Sequence, residues 1–338
     1  MNLAEATLDE IAATASRLLG WHVATVIPVR RGGNNRVFQI SGDESHAVLK
    51  VYPSQKEDPR DRLGHEYAAL SFLARYGVTQ VPRPIACDRD LQCAAYEWVE
   101  GVPPRDPDFA DIDEMADFFL RLQELRGCEG AEALPEGATP ALSLASVALQ
   151  LQQRFDRLMA TVPSGSEAAE FVASELRPVV ATAIAHLRDG YARSGVGFDV
   201  PLPPPLRVLS PSDFGFHNAL RQPSGRLAFL DFEYFGWDEP VKAVADVMLH
   251  AGMALPDELA RRYRQRVSEA LTRNDPGFPA RFELLFPALR ATWCLILLNE
   301  FLPERWARRV LSGAAYDREA AQIRQLAKAR DMITRSCN

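Results

Sequence analysis

The chain has 338 residues, 47% hydrophobic and 25% charged, with a formal net charge of −7. That make-up describes a soluble globular protein of two domains or one large two-lobed unit. Twenty glycines and twenty-four prolines are too few for a low-complexity or collagen-like chain, and the acidic balance argues against nucleic acid or an anionic membrane as partner.

The N-terminal stretch carries Glu5, Asp9 and Glu10 where a secretory leader would be basic. Leu8, Ile11, Ala15 and Leu18 recur at helical spacing, and Thr7 with Glu10 has the form of a capping box, so an amphipathic helix is expected. Strand-like runs follow at Ala24–Val29, Val37–Ile40, Ala47–Tyr52 and Ala94–Val99. One helix interrupts them, from about Pro59 to Tyr76, with Leu63, Tyr67, Leu70, Phe72 and Leu73 as its apolar face. After Gly101 the pattern turns helical. Met115, Phe118, Leu122 and Leu125 mark one helix and Leu149 to Leu158 part of another. Further helices are expected at 167–193 (interrupted at Pro178), 241–251, 257–272, 280–302 and 316–334. Leu206–Ser210 and Ala219–Phe232 are short strand-like pieces around polar residues.

This is an α+β arrangement: a small antiparallel-sheet lobe with one main helix over 1–100, a hinge at about 95–101, and a mostly helical lobe over 101–338. A cleft between such lobes is a natural ligand site. The five cysteines (Cys87, Cys93, Cys128, Cys294, Cys337) form no CxxC pair, which fits reduced thiols in a cytoplasm. The longest apolar stretch, Ala291–Leu298, falls short of the ~20 residues that span a bilayer. A cytoplasmic protein without membrane association is expected, as a monomer or a homodimer.

Chemistry-bearing residues begin in the run RRGGNNRVF, Arg30 to Phe38. Gly32, Gly33, Asn34 and Asn35 suit a backbone cradle for phosphate, and equally a hairpin turn. Lys50 closes a strand-like run; it is one of only four lysines against 34 arginines. It reads either as a phosphate ligand or as the solvent end of a strand. Glu66 lies three residues after Leu63 and four before Leu70, on the apolar face. A carboxylate there needs a partner, and Lys50 is the candidate.

The segment Ser210–Glu233 contains Asp213 and Asn218 as D-x-x-x-x-N, then Asp231-Phe232-Glu233. Gln222-Pro223-Ser224-Gly225 is a turn signal that folds Asn218 back opposite residues 229–230, beside Asp231. Their oxygens suit Mg²⁺, and Asp213 is left to orient an acceptor hydroxyl and take its proton. Each residue alone reads equally as a polar turn. The set does not, because glycine loop, strand lysine, helix glutamate, D-x4-N and D-F-E follow one another in the order of a kinase.

The chain resembles the aminoglycoside phosphotransferase and choline kinase branch of the protein-kinase-like fold, from Gly32 to about Asp246. GGNNRVF is similar to that family's GGxxNxxY/F loop, AAYEWVEG (Ala94–Gly101) to its interlobe hinge, SDFGFHN to HGDxxxxN, and DFEYFGWD to the D-F-E-Y-x-G-Y-N run of choline and ethanolamine kinases. The resemblance implies ATP with its adenine against the backbone of Glu97, Trp98 and Val99. It implies Lys50 on the phosphates, Asp213 as catalytic base, and Asn218 and Asp231 on Mg²⁺. Two departures stand out. Pro211 and Ser212 replace the family's His-Gly, and Ala243 stands where an aspartate is usual, with Asp246 one turn later to take over.

The expected acceptor is a small molecule bearing a hydroxyl: a sugar, an aminocyclitol or aminoglycoside-like compound, or an amino alcohol. Tyr234, Trp237, Trp293 and Trp306 could cage a quaternary amine or simply pack the core. Glu233, Asp238, Glu239, Glu300 and Glu304 offer carboxylates to an ammonium group, Arg305, Arg308 and Arg309 favour an anion, and His217 sits inside the catalytic loop. The alternative to an enzyme is a nucleotide-binding pseudokinase, supported only by Pro211-Ser212.

Overall fold

A computed structural model of the chain describes residues 3, 5–29, 35–54, 60–194, 197–306 and 317–334. Gly32, Gly33, Asn34, Arg308, Arg309 and Cys337 lie outside the described residues. The chain divides into two compact units, Met1–Ala138 with Pro211–Gly236, and Thr139–Ser210 with Trp237–Asn338.

The first unit begins with α1 (Leu8–Leu19), opened by the expected capping box. Thr7 N–H donates to Glu10 Oε2 at 2.8 Å, and Glu10 N–H to Thr7 Oγ1 at 3.3 Å. Five strands follow: β1 (Thr25–Pro28), β2 (Arg36–Ser41), β3 (His46–Val51), β4 (Pro84–Asp88) and β5 (Cys93–Glu97). They form one antiparallel sheet in the order β1-β2-β3-β5-β4. Residue alternation gives the sheet two faces. Phe38, Ile40, Leu49, Val51, Cys93 and Ala95 pack with Ile11 and Ala15 of α1. Lys50, paired in register with Val37 and Ala94, belongs to the other face, which meets α2 (Arg62–Arg75).

The edge strand β4 has no counterpart in the sequence reading. It opens on Pro84, breaks register between Pro84 and Ala86, and shows no apolar–polar alternation. Proline is tolerated there because an edge strand needs only one row of backbone hydrogen bonds.

After the sheet comes α3 (Phe109–Glu124). Residues 211–236 join this unit through the antiparallel hairpin Ala219–Arg221/Leu227–Phe229. Val102 and Arg221 exchange backbone bonds of 3.0 and 2.7 Å, and the Arg221 guanidinium reaches Asp111 of α3 at 2.5 Å. The division therefore cuts across the expected boundary near Gly101: the motif-bearing hairpin belongs with the sheet unit by its backbone pairing.

The second unit holds α4 (Leu144–Thr161), α5 (Glu167–Phe171), α6 (Arg177–Ser194), α7 (Pro240–Leu249), α8 (Asp257–Asn274), α9 (Phe278–Leu297) and α10 (Arg318–Thr334). The break expected at Pro178 is a π-helical turn over Val172–Leu176, and α6 runs on through the proline. A proline lacks the N–H that closes an ordinary turn, and the widened turn just before it absorbs the mismatch. The span Phe278–Phe301 is long and apolar enough to cross a membrane, yet it is mostly buried inside the protein, where α9 packs against α4, α6, α7, α8 and α10. It behaves as the core helix of this unit.

Candidate active site

Lys50 lies at the centre of a buried ion cluster. Its Nζ is 2.6 Å from Glu66 Oε2 on α2, 2.5 Å from Asp231 Oδ1, and 3.8 Å from Glu233 Oε2. Glu66 also accepts the Phe232 N–H at 3.3 Å, so the same carboxylate that holds the lysine tethers the backbone beside Asp231. Glu233 accepts the Asn35 amide at 2.6 Å and pairs with the Arg62 guanidinium at the start of α2. Arg62 and Glu66 stand one helical turn apart, so α2 presents a cation and an anion to the same cluster. One carboxylate oxygen from each of Glu66, Asp231 and Glu233 lies within 4.8 Å of the other two.

Burial works against the Lys50 ammonium, but Asp231, Glu66 and Glu233 outweigh it and push its pKa well up. Desolvation raises the carboxylates of Asp231 and Glu233, opposed by Lys50. Three carboxylates against Lys50 and Arg62 leave one surplus negative charge in a buried place. That surplus, and the 30% exposure kept by the Asp231 side chain, suit a divalent cation.

The loop 211–218 carries the second group. Asp213 accepts a hydrogen bond from His217 Nε2 at 2.9 Å when that nitrogen is protonated, and its side chain is one-third exposed. The Asn218 amide nitrogen donates to the Asp213 carbonyl at 3.0 Å, which leaves the side-chain oxygen as its ligand atom. Across the hairpin, Leu230 N–H donates to the Asn218 carbonyl at 2.8 Å, so Asn218 and Asp231 sit at the same end.

The sequence holds these aspartates in place by a repeated device. Each is followed by a phenylalanine, Phe214 and Phe232, that inserts beneath it. Phe118 of α3 lies 5.6 Å from Phe214, 4.4 Å from Phe229 and 6.4 Å from Phe232, ring centre to ring centre. The aromatic core thus anchors both aspartate-bearing segments from below.

Backbone conformation explains one of the departures. Ser212 has φ 63° and Asp231 φ 65°, both in the left-handed region. A glycine takes that conformation freely, which is what the resembling family has at the Ser212 position. Here serine adopts it, its Oγ donating to the Tyr234 carbonyl at 3.1 Å. The other departure is Ala243, for which Asp246 one turn later is the expected replacement. Asp246 pairs with Lys242 at 2.8 Å and accepts the Trp293 indole N–H at 2.8 Å, bracing α7 against α9 within the second unit.

Among the hinge residues, Glu97 gives its carboxylate to Arg83 at 3.0 Å and its N–H to the Arg83 carbonyl at 2.8 Å. The Trp98 indole N–H donates to Glu100 at 2.9 Å. The Val99 N–H has no partner among the described residues.

Several acceptor candidates are engaged elsewhere. Glu233 belongs to the ion cluster. Asp238 has 0% exposure and is used up by Lys242 at 2.9 Å and by the Ala141 and Glu239 N–H groups at 2.8 Å each. The Tyr234 ring already carries the Arg60 and Arg62 guanidinium groups, each 5.3 Å from its centre. Trp293 is buried, and Arg318 lies over Trp306 at 5.7 Å. Trp237 is half-buried and Glu300 buried. Arg62 and Tyr52, which the sequence reading did not single out, both touch the cluster. Helical spacing from Glu66 and strand alternation from Lys50 are the signals that could have found them.

The family model described as "Phosphotransferase enzyme family" matches residues 25–280. The chain belongs to that family. It is a phosphotransferase with a hydroxyl group as acceptor, and its fold is protein-kinase-like, as the motifs implied. Among solved structures, the choline kinase LicA of Streptococcus pneumoniae aligns with a TM-score of 0.60 at 14% identity, covering 96% of this chain and 98% of that one. A spectinomycin phosphotransferase solved with ADP and spectinomycin aligns with a TM-score of 0.60 at 11% identity, covering 96% and 98%. A Plasmodium vivax ethanolamine kinase gives 0.55 at 12%, covering 91% and 84%. At such identities these likenesses speak to the fold. No curated protein matches the sequence.

Proposed function

We propose that this phosphotransferase is an ATP-dependent kinase that moves the γ-phosphoryl group to a hydroxyl of a small molecule, with Mg²⁺ as cofactor. The observation that carries the proposal is the convergence on Lys50 of Glu66 from α2 and Asp231 from the hairpin. A lysine held by a helix carboxylate beside a second acid is a preset phosphate ligand. All the groups needed belong to the first compact unit.

The residues fit both ligands. Asp231 spends one oxygen on Lys50 and Asn218 spends its amide nitrogen on Asp213, which leaves a carboxylate oxygen and an amide oxygen as hard donors for Mg²⁺. The metal, when bound, supplies charge neutralisation on the phosphate oxygens. The Val99 N–H is open to an adenine ring. Asp213 accepts the proton of the acceptor hydroxyl, and His217 holds its carboxylate in orientation. Lys50 stabilises charge on the phosphates, Glu66 keeps Lys50 in place, and Asn35 ties the end of the glycine loop to Glu233.

For the acceptor, a sugar or aminocyclitol is favoured over a quaternary amine, because Tyr234, Trp293 and Trp306 are already engaged. The pseudokinase alternative is the weaker reading, since Ser212 adopts the left-handed conformation that a glycine takes freely.

The test is a panel of sugars, aminocyclitols and amino alcohols scored for ADP release, with Asp213→Asn as control. The reading is wrong if Mg·ATP binds yet no compound gives Asp213-dependent turnover.

A further inference from the structure

Glu66 is held by more than Lys50. Its Oε2 also accepts the Tyr52 hydroxyl at 2.7 Å, and the Tyr52 oxygen lies 2.7 Å from the Tyr96 hydroxyl. An ionised carboxylate only accepts hydrogen bonds. Tyr52 must therefore donate to Glu66, and Tyr96 must donate to Tyr52, so the direction of the chain is fixed. The relative exposures of Lys50, Glu66, Tyr52 and Tyr96 are 6%, 3%, 2% and 3%. At such burial the bonds lie in a low-dielectric surrounding that strengthens them. Tyr52 also meets Lys50 directly, with Nζ 5.2 Å from its ring centre. One side chain thus touches both members of the ion pair, the cation by its face and the anion by its hydroxyl.

We propose that Tyr52 and Tyr96 are positioning residues for the Lys50–Glu66 pair. Tyr96 orients the Tyr52 hydroxyl, and Tyr52 holds Glu66 so that Lys50 is presented to phosphate in one fixed geometry. Burial raises both phenols well above their ordinary range, so both remain neutral donors. Tyr96 directly precedes Glu97–Val99, so the hydroxyl chain runs from the segment proposed for the adenine to the lysine proposed for the phosphates. The inference rests on the kinase reading. It adds that the base-binding segment and the phosphate ligand share one hydrogen-bonded support.

Two measurements test it. Only four lysines are present, and Lys242 is the other buried one among the described residues. In protein labelled with ¹⁵N-lysine, the Lys50 ammonium signal is identified by its loss in Lys50→Arg. Tyr52→Phe is expected to shift or broaden that signal and leave Lys242 unchanged. In turnover assays on folded protein, Tyr52→Phe is expected to lower kcat about tenfold with the acceptor KM unchanged within about twofold, and Tyr96→Phe to lower kcat about threefold. The double variant is expected to be no worse than Tyr52→Phe, because losing the Tyr52 hydroxyl leaves the Tyr96 hydroxyl as a buried orphan that the second change removes. If Tyr52→Phe does not fold, the Lys50 signal and kcat of Tyr96→Phe decide the matter. An active wild type with an unchanged Lys50 signal and kcat in the variants overturns this inference alone. A wild type without Asp213-dependent turnover overturns the kinase reading and this role with it.

Discussion

Replacing Lys50 by methionine keeps most of the side-chain volume and removes the charge. In the wild type, Lys50 and Arg62 face Glu66, Asp231 and Glu233, a surplus of one negative charge; in Lys50→Met the surplus is two. Removing one partner of a buried pair costs about 3–5 kcal/mol. The 30% exposure of the Asp231 side chain places this case near the lower end, at about 3 kcal/mol. A loss of that size leaves a folded protein if total stability is the usual ~5–15 kcal/mol, and lowers Tm by about 4 °C in a chain of 338 residues.

The deficit should narrow in mild acid. Asp231 and Glu233 have raised pKa values in the folded chain, so folding takes up protons that the unfolded chain releases. Stability from these two groups therefore rises as pH falls, and more so once Lys50 is gone. Adding Asp231→Asn restores the surplus to one, and should recover much of the Tm while activity stays about a hundredfold to a thousandfold down. Calorimetry at neutral and mildly acidic pH, with ADP release beside it, checks each part. A Lys50→Met variant that melts within about 2 °C of the wild type at neutral pH would refute the buried cluster as the organising feature of the site.

Asp213→Asn is expected to lower kcat by about 10²–10⁴ with little change in thermal melting, because the side chain is one-third exposed and the amide oxygen still accepts from His217. Ser212→Gly should leave stability within about 1 kcal/mol, relief at φ 63° offsetting the lost bond to Tyr234. Ser212→Val, β-branched in the same conformation, should cost clearly more, as urea unfolding would show. Glu239 caps α7 and pairs with Arg281 at 3.2 Å, and burial pushes its carboxyl from 4.5 up to about 7. The folded chain then holds a proton that the unfolded chain has released, so the stability contribution falls as pH rises from 4.5 to about 7 and is flat above. Glu239→Gln should remove that part of the slope in melts taken across the window.

The candidate site was legible to the degree that its groups are carried by local pattern. Its place at the end of a strand-like run and the scarcity of lysine marked Lys50, helical spacing marked Glu66, and the Gln222–Gly225 turn set Asn218 beside Asp231. The same logic missed β4, whose edge position frees it from alternation, and it passed over Arg62 and Tyr52, whose significance appears only when α2 packs on the sheet. It also offered Asp238 to a substrate, since a sequence does not show that Lys242 and two backbone N–H groups already use that carboxylate.

Composition and charge bounded this protein to two units and an acidic, lysine-poor surface, and motif order added the phosphotransferase chemistry. Those are properties of neighbouring residues and of periodicity, which the chain carries with it unfolded. Tertiary structure decided what long-range contact alone can decide: that residues 211–236 join the sheet unit, that one lysine is shared by three acids from two separate segments, and that Tyr52 and Tyr96 hydrogen-bond in series to Glu66. Such contacts join residues up to 198 positions apart, as Asn35 and Glu233 are, and at that separation it is packing, not pattern, that selects the partner.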